Sequence, residues 1–311
     1  MPGNAEAYDQ GREGAIVAGS RGYASTSDLT GRFPRTEISR TAHLARCLLA
    51  PDGADADQPA ARAELTDLMR EVVPDLGLLV LTGLPASASD GERASRRLAA
   101  LLGQILPQNK DGVLVREVRD RGTGIAEGER ARYSDSRFGG HMHTDGVERP
   151  LPAPAYFTLF CVRQSEFGGA LRFVHIRHVL AALASRPDVL DVLRAPFHFD
   201  RRGDQESGAG PTVAKPVLFT QGGKPAIAYF RSYIERGHEH PGIPRLTSAQ
   251  IAALDALDEA VYSAGHIRED KMRGGEFAIF DNLSLLHGRT EFRDTAESPR
   301  LLLRTWVGDC L

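Results

Sequence analysis

Two histidines and an aspartate stand out for what their side chains could hold: His143-Thr144-Asp145, and far downstream a lone His287 in Asp281-Asn282-Leu283-Ser284-Leu285-Leu286-His287-Gly288-Arg289-Thr290. Two imidazoles and one carboxylate are the set that grips non-haem Fe(II) on one face and leaves its other positions open for chemistry. In a strand, residues i and i+2 point the same way, so His143 and Asp145 can converge on one ion while Thr144 faces away. Such a triplet also occurs by chance in turns, so the weight falls on the segment downstream of His287. There Pro299-Arg300-Leu301-Leu302-Leu303-Arg304-Thr305-Trp306-Val307 carries two guanidinium groups at i and i+4 in an apolar run, on one face of a strand. A buried arginine is costly unless it meets an anion, and its planar fork suits a carboxylate held at two points. An iron site beside such an arginine suggests a dicarboxylic co-substrate.

With these pieces in order the sequence resembles the Fe(II)/2-oxoglutarate-dependent dioxygenases of the taurine dioxygenase and clavaminate synthase type. The matching segments are Gly140-His141-Met142-His143-Thr144-Asp145-Gly146, then Gly168-Gly169, then Gly274-Gly275-Glu276-Phe277-Ala278-Ile279-Phe280-Asp281-Asn282 running into His287-Gly288-Arg289-Thr290, and finally Arg300 with Arg304; the likeness spans residues 78–307. The resemblance implies that His143, Asp145 and His287 bind Fe(II), that Arg300 clamps the distal carboxylate of 2-oxoglutarate, and that Arg304 meets an acidic group of the substrate. It implies O2 as second co-substrate, release of succinate and CO2, and oxidation of an unactivated C–H bond. Hydroxylation of a small polar amino acid or amino-acid-derived metabolite of a specialised biosynthetic pathway is the expected outcome; epoxidation, desaturation or ring closure would use the same ligands. Members of the family that chlorinate have a small residue where Asp145 stands, so halogenation is not expected. One departure is visible: after the paired glycines the family usually has a threonine that hydrogen-bonds 2-oxoglutarate, and the matching position is Leu171. A lost neutral hydrogen bond costs about 1 kcal/mol, so the departure bears on affinity more than on the identity of the co-substrate.

The elements that must position these residues read as a double-stranded β-helix (jelly roll), mainly β with flanking helices. Short apolar runs punctuated by Gly and Pro mark strands at 156–162, 170–176, 195–200, 216–220, 226–231, 276–280 and 301–307, with another buried strand at 78–84. Helical spacing of Leu65, Leu68, Met69, Val72 and Val73 predicts a helix over 61–73, and Leu98, Leu101, Leu102 and Ile105 another over 91–106. A third, 248–264, opens on a capping box at Thr247 and Gln250. Residues 1–35 read as a flexible arm and 36–311 as one catalytic domain, with 51–59 a surface loop. Segments 121–139 and 201–211, rich in Gly and charge, suit mobile lids. Gln108, Tyr229 and Arg231 are candidate pocket residues.

Composition narrows the class. A net charge of −3 gives no electrostatic reason to expect nucleic acid or an anionic membrane. Three scattered cysteines, Cys47, Cys161 and Cys310, make neither a disulfide framework nor a zinc knuckle. With no apolar leader and no run long enough to cross a bilayer, a cytoplasmic protein is expected. Several residues have plainer alternatives. His141 could pair with His143 as a ligand, but only His143 has a carboxylate at the right spacing. Arg304 reads as well as a structural ion-pair partner as it does as a substrate anchor. Asp281-Asn282 reads as a turn device, His175 and His178 as polar surface, and His238 with His240 as a solvated loop tip. A non-catalytic ligand-binding barrel is the competing class. A zinc hydrolase is disfavoured because no HExxH-like base accompanies the ligands.

Overall fold

Side-chain alternation explains how the strands are layered. In this computed structural model, which describes residues 33–51, 57–122, 132–263, 265–295 and 297–310, a seven-stranded sheet runs in the spatial order Arg35–Glu37, Leu78–Thr82, Phe277–Asp281, Tyr156–Arg163, Leu301–Cys310, Gly103–Leu106, with Arg116–Val118 also paired to the long last strand. Leu79, Leu81, Phe277 and Ile279 turn outward onto helices Ala42–Leu49, Gln58–Leu76 and Ala88–Leu102, where Leu44, Leu65, Leu68 and Leu98 meet them. Their neighbours Leu78, Val80, Ala278 and Phe280 turn inward. Both faces are therefore dry, which is why Leu78-Leu79-Val80-Leu81 is continuously apolar where a half-exposed strand would alternate. Each fully buried Leu or Phe contributes about 1.5–3 kcal/mol to holding these layers together.

A second sheet, in the order Arg268–Asp270, Leu171–His175, Leu285–Arg289, Gly140–His143, faces the first. Leu171, Phe173 and Leu285 meet the inner side of the large sheet. Met142, Val174 and Leu286 point the other way, onto helices Ile176–Ala182, Pro187–Arg194 and Ser248–Tyr262. Two hairpins, Pro196–Asp200 with Thr212–Pro216 and Leu218–Gln221 with Lys224–Ile227, extend this side. The result is the jelly roll anticipated, with helices on both outer faces and a cleft between the sheets. No helix among the described residues is long and apolar enough to cross a membrane.

Several boundaries differ from the sequence expectation for identifiable reasons. Ser87 accepts the Asp90 N–H and starts the second helix at Ala88, and Gly103 ends it, so Gly103–Leu106 becomes an edge strand instead of a last helical turn. The run 216–220 is two strands, because the Val217 N–H leaves the ladder to bond Leu193 O at 3.0 Å. The run 226–231 stops at Ile227, and Arg231 begins the helix Arg231–Gly237. Strand Leu285–Arg289 was not anticipated, since all five of its residues are buried and leave no alternation to read. The capping box behaves as expected: the Thr247 side chain accepts from Gln250 N–H and the Gln250 side chain accepts from Thr247 N–H. Of the arm expected over 1–35, residues 1–32 lie outside the described residues, as do loop residues 52–56 and the segment 123–131 of one expected lid. Phe33 is buried and Arg35 opens the strand Arg35–Glu37, so the arm's last residues belong to the fold.

Candidate active site

His143 is the last residue of its strand, and Thr144 and Asp145 lie just beyond it, so the reading of a single strand carrying both ligands is corrected. The chain instead turns at Gly146 (φ 75°). A Cβ there would sit 2.8 Å from Pro154, so a side chain does not fit the turn that swings the Asp145 carboxylate round. Thr144 faces away as anticipated, its N–H donating to Tyr229 O (2.9 Å) and its hydroxyl accepting from Tyr229 N–H (3.0 Å). His287 comes from the neighbouring strand, directly opposite His143 in register, with ring centroids 4.4 Å apart. Asp145 Oδ1 lies 3.9 Å from Nε2 of each histidine, and one ligand atom from each of the three falls within 4.8 Å of the others. His143 Nδ1 is 2.8 Å from His141 O, which fixes the proton on Nδ1 and leaves Nε2 bare for a metal. His141 contributes that carbonyl and stands apart from the cluster. Phe157 packs at 4.2 Å from the His287 ring and Phe230 stacks at 4.7 Å on His143, so apolar groups surround the bare nitrogens.

The carboxylate is held from every side. Arg304 Nη1 donates to Asp145 Oδ1 at 3.0 Å and Trp306 Nε1 to Oδ2 at 2.9 Å. Asn282 Oδ1 accepts the Asp145 N–H (2.8 Å), and Asn282 Nδ2 donates to the carbonyls of Asp145 (3.0 Å) and Pro154 (2.9 Å). Burial would raise the Asp145 pKa, but Arg304, the two imidazoles and the indole N–H outweigh it and hold the carboxyl below its usual range. Burial lowers both imidazoles, His287 to about 3 with help from its neighbour His143, so both stay neutral ligands at physiological pH.

Toward the other end of the same cavity lies Arg300. Its Nε donates to Gln164 Oε1 at 2.9 Å, a neutral amide, while its Nη1 is buried without an acceptor among the described residues. Burial, then the nearby Arg289, pushes its pKa down to about 9. A desolvated cation with an orphaned donor facing a metal cluster is chemically suited to an anion bound between them. The paired glycines serve this spot: a Cβ on Gly168 (φ 66°) would lie 1.9 Å from Glu291 O, and one on Gly169 3.4 Å from Arg300 Nε. The cavity that the three ligands share with Arg300 is also lined by Leu159, Leu171, Ser134 and Arg289. The donor set and this orphaned guanidinium fit iron and a dicarboxylate.

Other candidates fall elsewhere. Gln108 is buried beside the site, accepting from Arg304 Nε (2.8 Å) and donating to Arg304 O (2.7 Å) and Leu114 O (3.0 Å), so it orients Arg304. Tyr229 and Arg231 are absent from the walls of the cavity: the Tyr229 hydroxyl donates to Asp258 (2.5 Å), and Arg231 pairs with Glu235, Asp255 and Asp258. His175 caps a helix by accepting Arg177 N–H, and His178 stacks on His266. His238 is buried, not a solvated tip, its Nε2 accepting the His198 N–H at 3.0 Å where Gly237 allows close approach. Asp281 is a turn device, accepting Leu283 and Ser284 N–H, but Asn282 fastens Asp145. Three residues that shape the site were missed. Arg289 and Trp306 each stand two places beyond a residue already singled out, His287 and Arg304, which in a strand is the same face. For Asn282 no sequence signal pointed to its partner.

On the open side of His143 and Asp145, Arg132, Tyr133, Glu148, Phe230, Tyr233 and Arg304 line a smaller recess. Glu148 is shared with a cleft of about 780 Å³ that also includes Arg149, Arg201 and Asp204. Arg132 pairs with Asp204, joining the two segments the sequence marked as lids.

A jelly roll with two imidazoles and a carboxylate clustered between its sheets, and a buried arginine beyond them, defines a non-haem Fe(II)- and 2-oxoglutarate-dependent dioxygenase. Fe(II) is its metal, and 2-oxoglutarate and O2 its co-substrates. The sequence model of the family "Taurine catabolism dioxygenase TauD, TfdA family" matches residues 40–306, and the chain belongs to that family. Among curated relatives, FR-33289 synthase of Streptomyces rubellomurinus (strain ATCC 31215) is 24% identical over 245 residues, covering 74% of this chain and 68% of the relative. A uridine-5'-phosphate dioxygenase of Streptomyces sp is 28% identical over 276 residues, covering 79% and 92%. Among solved structures, asparagine oxygenase in complex with Fe(II), hydroxyasparagine and succinate superposes with a TM-score of 0.63 at 24% identity, covering 88% of this chain and 92% of that one. The non-heme iron oxygenase OrfP with Fe and alpha-ketoglutaric acid gives 0.63 at 19%, covering 88% and 94%. At these identities the structural likeness establishes the fold.

Proposed function

We propose that this chain hydroxylates an unactivated C–H bond of a small, amino-acid-like metabolite in a specialised biosynthetic pathway, with His143, Asp145 and His287 holding the iron and Arg300 the distal carboxylate of 2-oxoglutarate. The observation that carries the reading is the orphaned, buried Arg300 Nη1 sharing one cavity with the three ligands. When bound, iron and 2-oxoglutarate together supply the oxidation of a C–H bond by O2, with succinate and CO2 released. This chain's residues do the rest. Asp145 is held by Arg304, Trp306 and Asn282, which pre-orients the carboxylate that, with His143 and His287, would hold the iron. Phe157 and Phe230 pack against the His287 and His143 rings and hold their orientation. Gln108 holds Arg304 to Asp145, so we assign Arg304 to positioning the carboxylate and not to anchoring substrate. Residues 36–311 act as one catalytic domain in this reading, and a reducing, cytoplasmic setting suits a ferrous centre.

Support for an amino-acid-like substrate comes from the recess over His143 and Asp145. It presents a carboxylate, Glu148, whose nearest cation is Arg132 at 4.0 Å, together with guanidinium groups and an aromatic wall in which Phe230 and Tyr233 stack at 4.4 Å. The Glu148 carboxylate and the Arg132 guanidinium beside a flat apolar surface suit a zwitterion. Asparagine oxygenase and OrfP, both solved with hydroxylated amino acids, share the fold. The test is a screen of L-amino acids and their derivatives, with uridine 5'-phosphate as the non-amino-acid arm, for substrate-triggered succinate formation that requires Fe(II). Hydroxylated product one oxygen heavier than an amino-acid substrate is expected. Turnover confined to the nucleotide would overturn the substrate class and leave the chemistry standing. Full activity of His287→Ala would overturn the ligand assignment.

A further inference from the structure

Three buried donors of residues that line the cavity find no acceptor among the described residues: Ser134 Oγ, Arg289 Nε and Arg300 Nη1. The two guanidinium groups flank a single ring, their central carbons 4.6 Å and 5.0 Å from the Phe292 centroid. Neither makes an ion pair among the described residues; Asp294 acts on both from farther off, yet burial and then Arg289 still push the Arg300 pKa down. Like charges buried together are unfavourable unless an anion comes between them.

The strand register adds a second, independent observation. Arg289 stands directly opposite Leu171 on the adjacent strand, and directly opposed residues share a face with their side chains in reach of one another. Leu171 is the position where the family resemblance places a threonine that hydrogen-bonds 2-oxoglutarate. The guanidinium therefore stands beside the missing hydroxyl. It is also pre-oriented: Arg289 Nη2 donates to the carbonyls of Ser136 and Phe138, which fixes the plane and leaves Nε free on the cavity side.

We propose that Arg289 shares the distal carboxylate of 2-oxoglutarate with Arg300, supplying from the neighbouring strand the hydrogen bond that Leu171 cannot make. The proposal rests on the assignment of Arg300 to that carboxylate. It makes the co-substrate's far end a two-arginine site, selective for a charged terminus over a neutral one of the same length.

The experiment compares anaerobic binding of 2-oxoglutarate with that of 2-oxopentanoate, which has a methyl group in place of the distal carboxylate, by calorimetry on Ni(II)-loaded protein. Wild type should prefer 2-oxoglutarate strongly. Arg289→Gln should shrink that preference at least tenfold, through 2-oxoglutarate alone, with 2-oxopentanoate affinity unchanged within about threefold. Adding Leu171→Thr to Arg289→Gln should restore part of the preference, because it returns a donor to the same spot. Arg289→Lys keeps the charge and guards against a folding defect; it should fall between wild type and Arg289→Gln. Equal losses for both ligands in Arg289→Gln would mean that Arg289 only latches the 136–138 backbone, and the proposal would be overturned. An unchanged preference in Arg289→Gln alongside a collapsed one in Arg300→Gln would overturn it too, leaving Arg300 as the sole clamp. Failure of wild-type protein to discriminate between the two ligands would overturn the reading of Arg300 itself.

Discussion

Arg300 and Arg304 come from one segment of chain and face the same inner cleft, yet they live in opposite electrostatic worlds. Arg304 is committed: its fork meets the Asp145 carboxylate and the Gln108 amide, and a cation–π contact at 5.1 Å sets it over Trp306. Arg300 has a neutral amide, a phenyl ring and an unanswered N–H. The same side chain thus serves once as part of the protein's own scaffold and once as a receptor waiting for a ligand. What separates them is whether the fold has already brought a carboxylate into reach.

That contrast can be broken by experiment. The largest effect belongs to Arg300→Ala, which should raise the Kd of 2-oxoglutarate roughly 10²- to 10⁴-fold, since each lost charged hydrogen bond is worth about 1.5–3 kcal/mol. Anaerobic titration of the metal-to-ligand absorption in the Fe(II) protein reads it directly, and a change below fivefold would reverse the roles given to the two arginines. Arg304→Ala should instead lower Fe(II) affinity by about 10- to 100-fold, the usual cost of removing a group that orients a metal ligand. At saturating iron its 2-oxoglutarate Kd should stay within about threefold of wild type. Trp306→Phe removes one of the two side-chain bonds to the Asp145 carboxylate and should cost iron binding about tenfold or less, measured by competition with a chelator.

The smallest effect is on stability. His287 has a folded-state pKa of about 3, below its unfolded value, so between those two values the unfolded chain binds more protons. The metal-free protein should therefore lose stability as pH falls from about 6.5 toward 4, seen as a falling Tm. The slope should be shallower in His287→Gln, and a Tm that rises on acidification in wild type would contradict the assignment of a buried neutral imidazole.

The ligand residues were legible because their types are rare together and their order along the chain is informative. The shared face of Arg300 and Arg304 was legible because a strand has a period of two. Their partners were not, since Asp145 and Gln108 are remote in sequence from Arg304, with separations of 159 and 196 residues. Strand Leu285–Arg289 escaped notice because burial on both faces erases alternation, and with it went the significance of Arg289. Tyr229 and Arg231 were candidate pocket residues, but Asp258 on a packed helix claims them both. A side chain's type is written in the sequence; who satisfies it is decided by topology.

The Asn282 clasp has a consequence for how the protein acquires its metal in the cell. Asp145 is held by a residue 137 places later in the chain, and His287, Arg304 and Trp306 lie later still. During synthesis the early half of the cluster leaves the ribosome long before anything exists to complete it, so a nascent chain offers one histidine and one untethered aspartate, a weak and unselective pair. A complete ligand set therefore exists only once His287 and the strand that carries Arg304 and Trp306 have been made. From then on, metal bound only to the native state adds to stability by mass action, so the centre that runs the chemistry also rewards the chain for having closed.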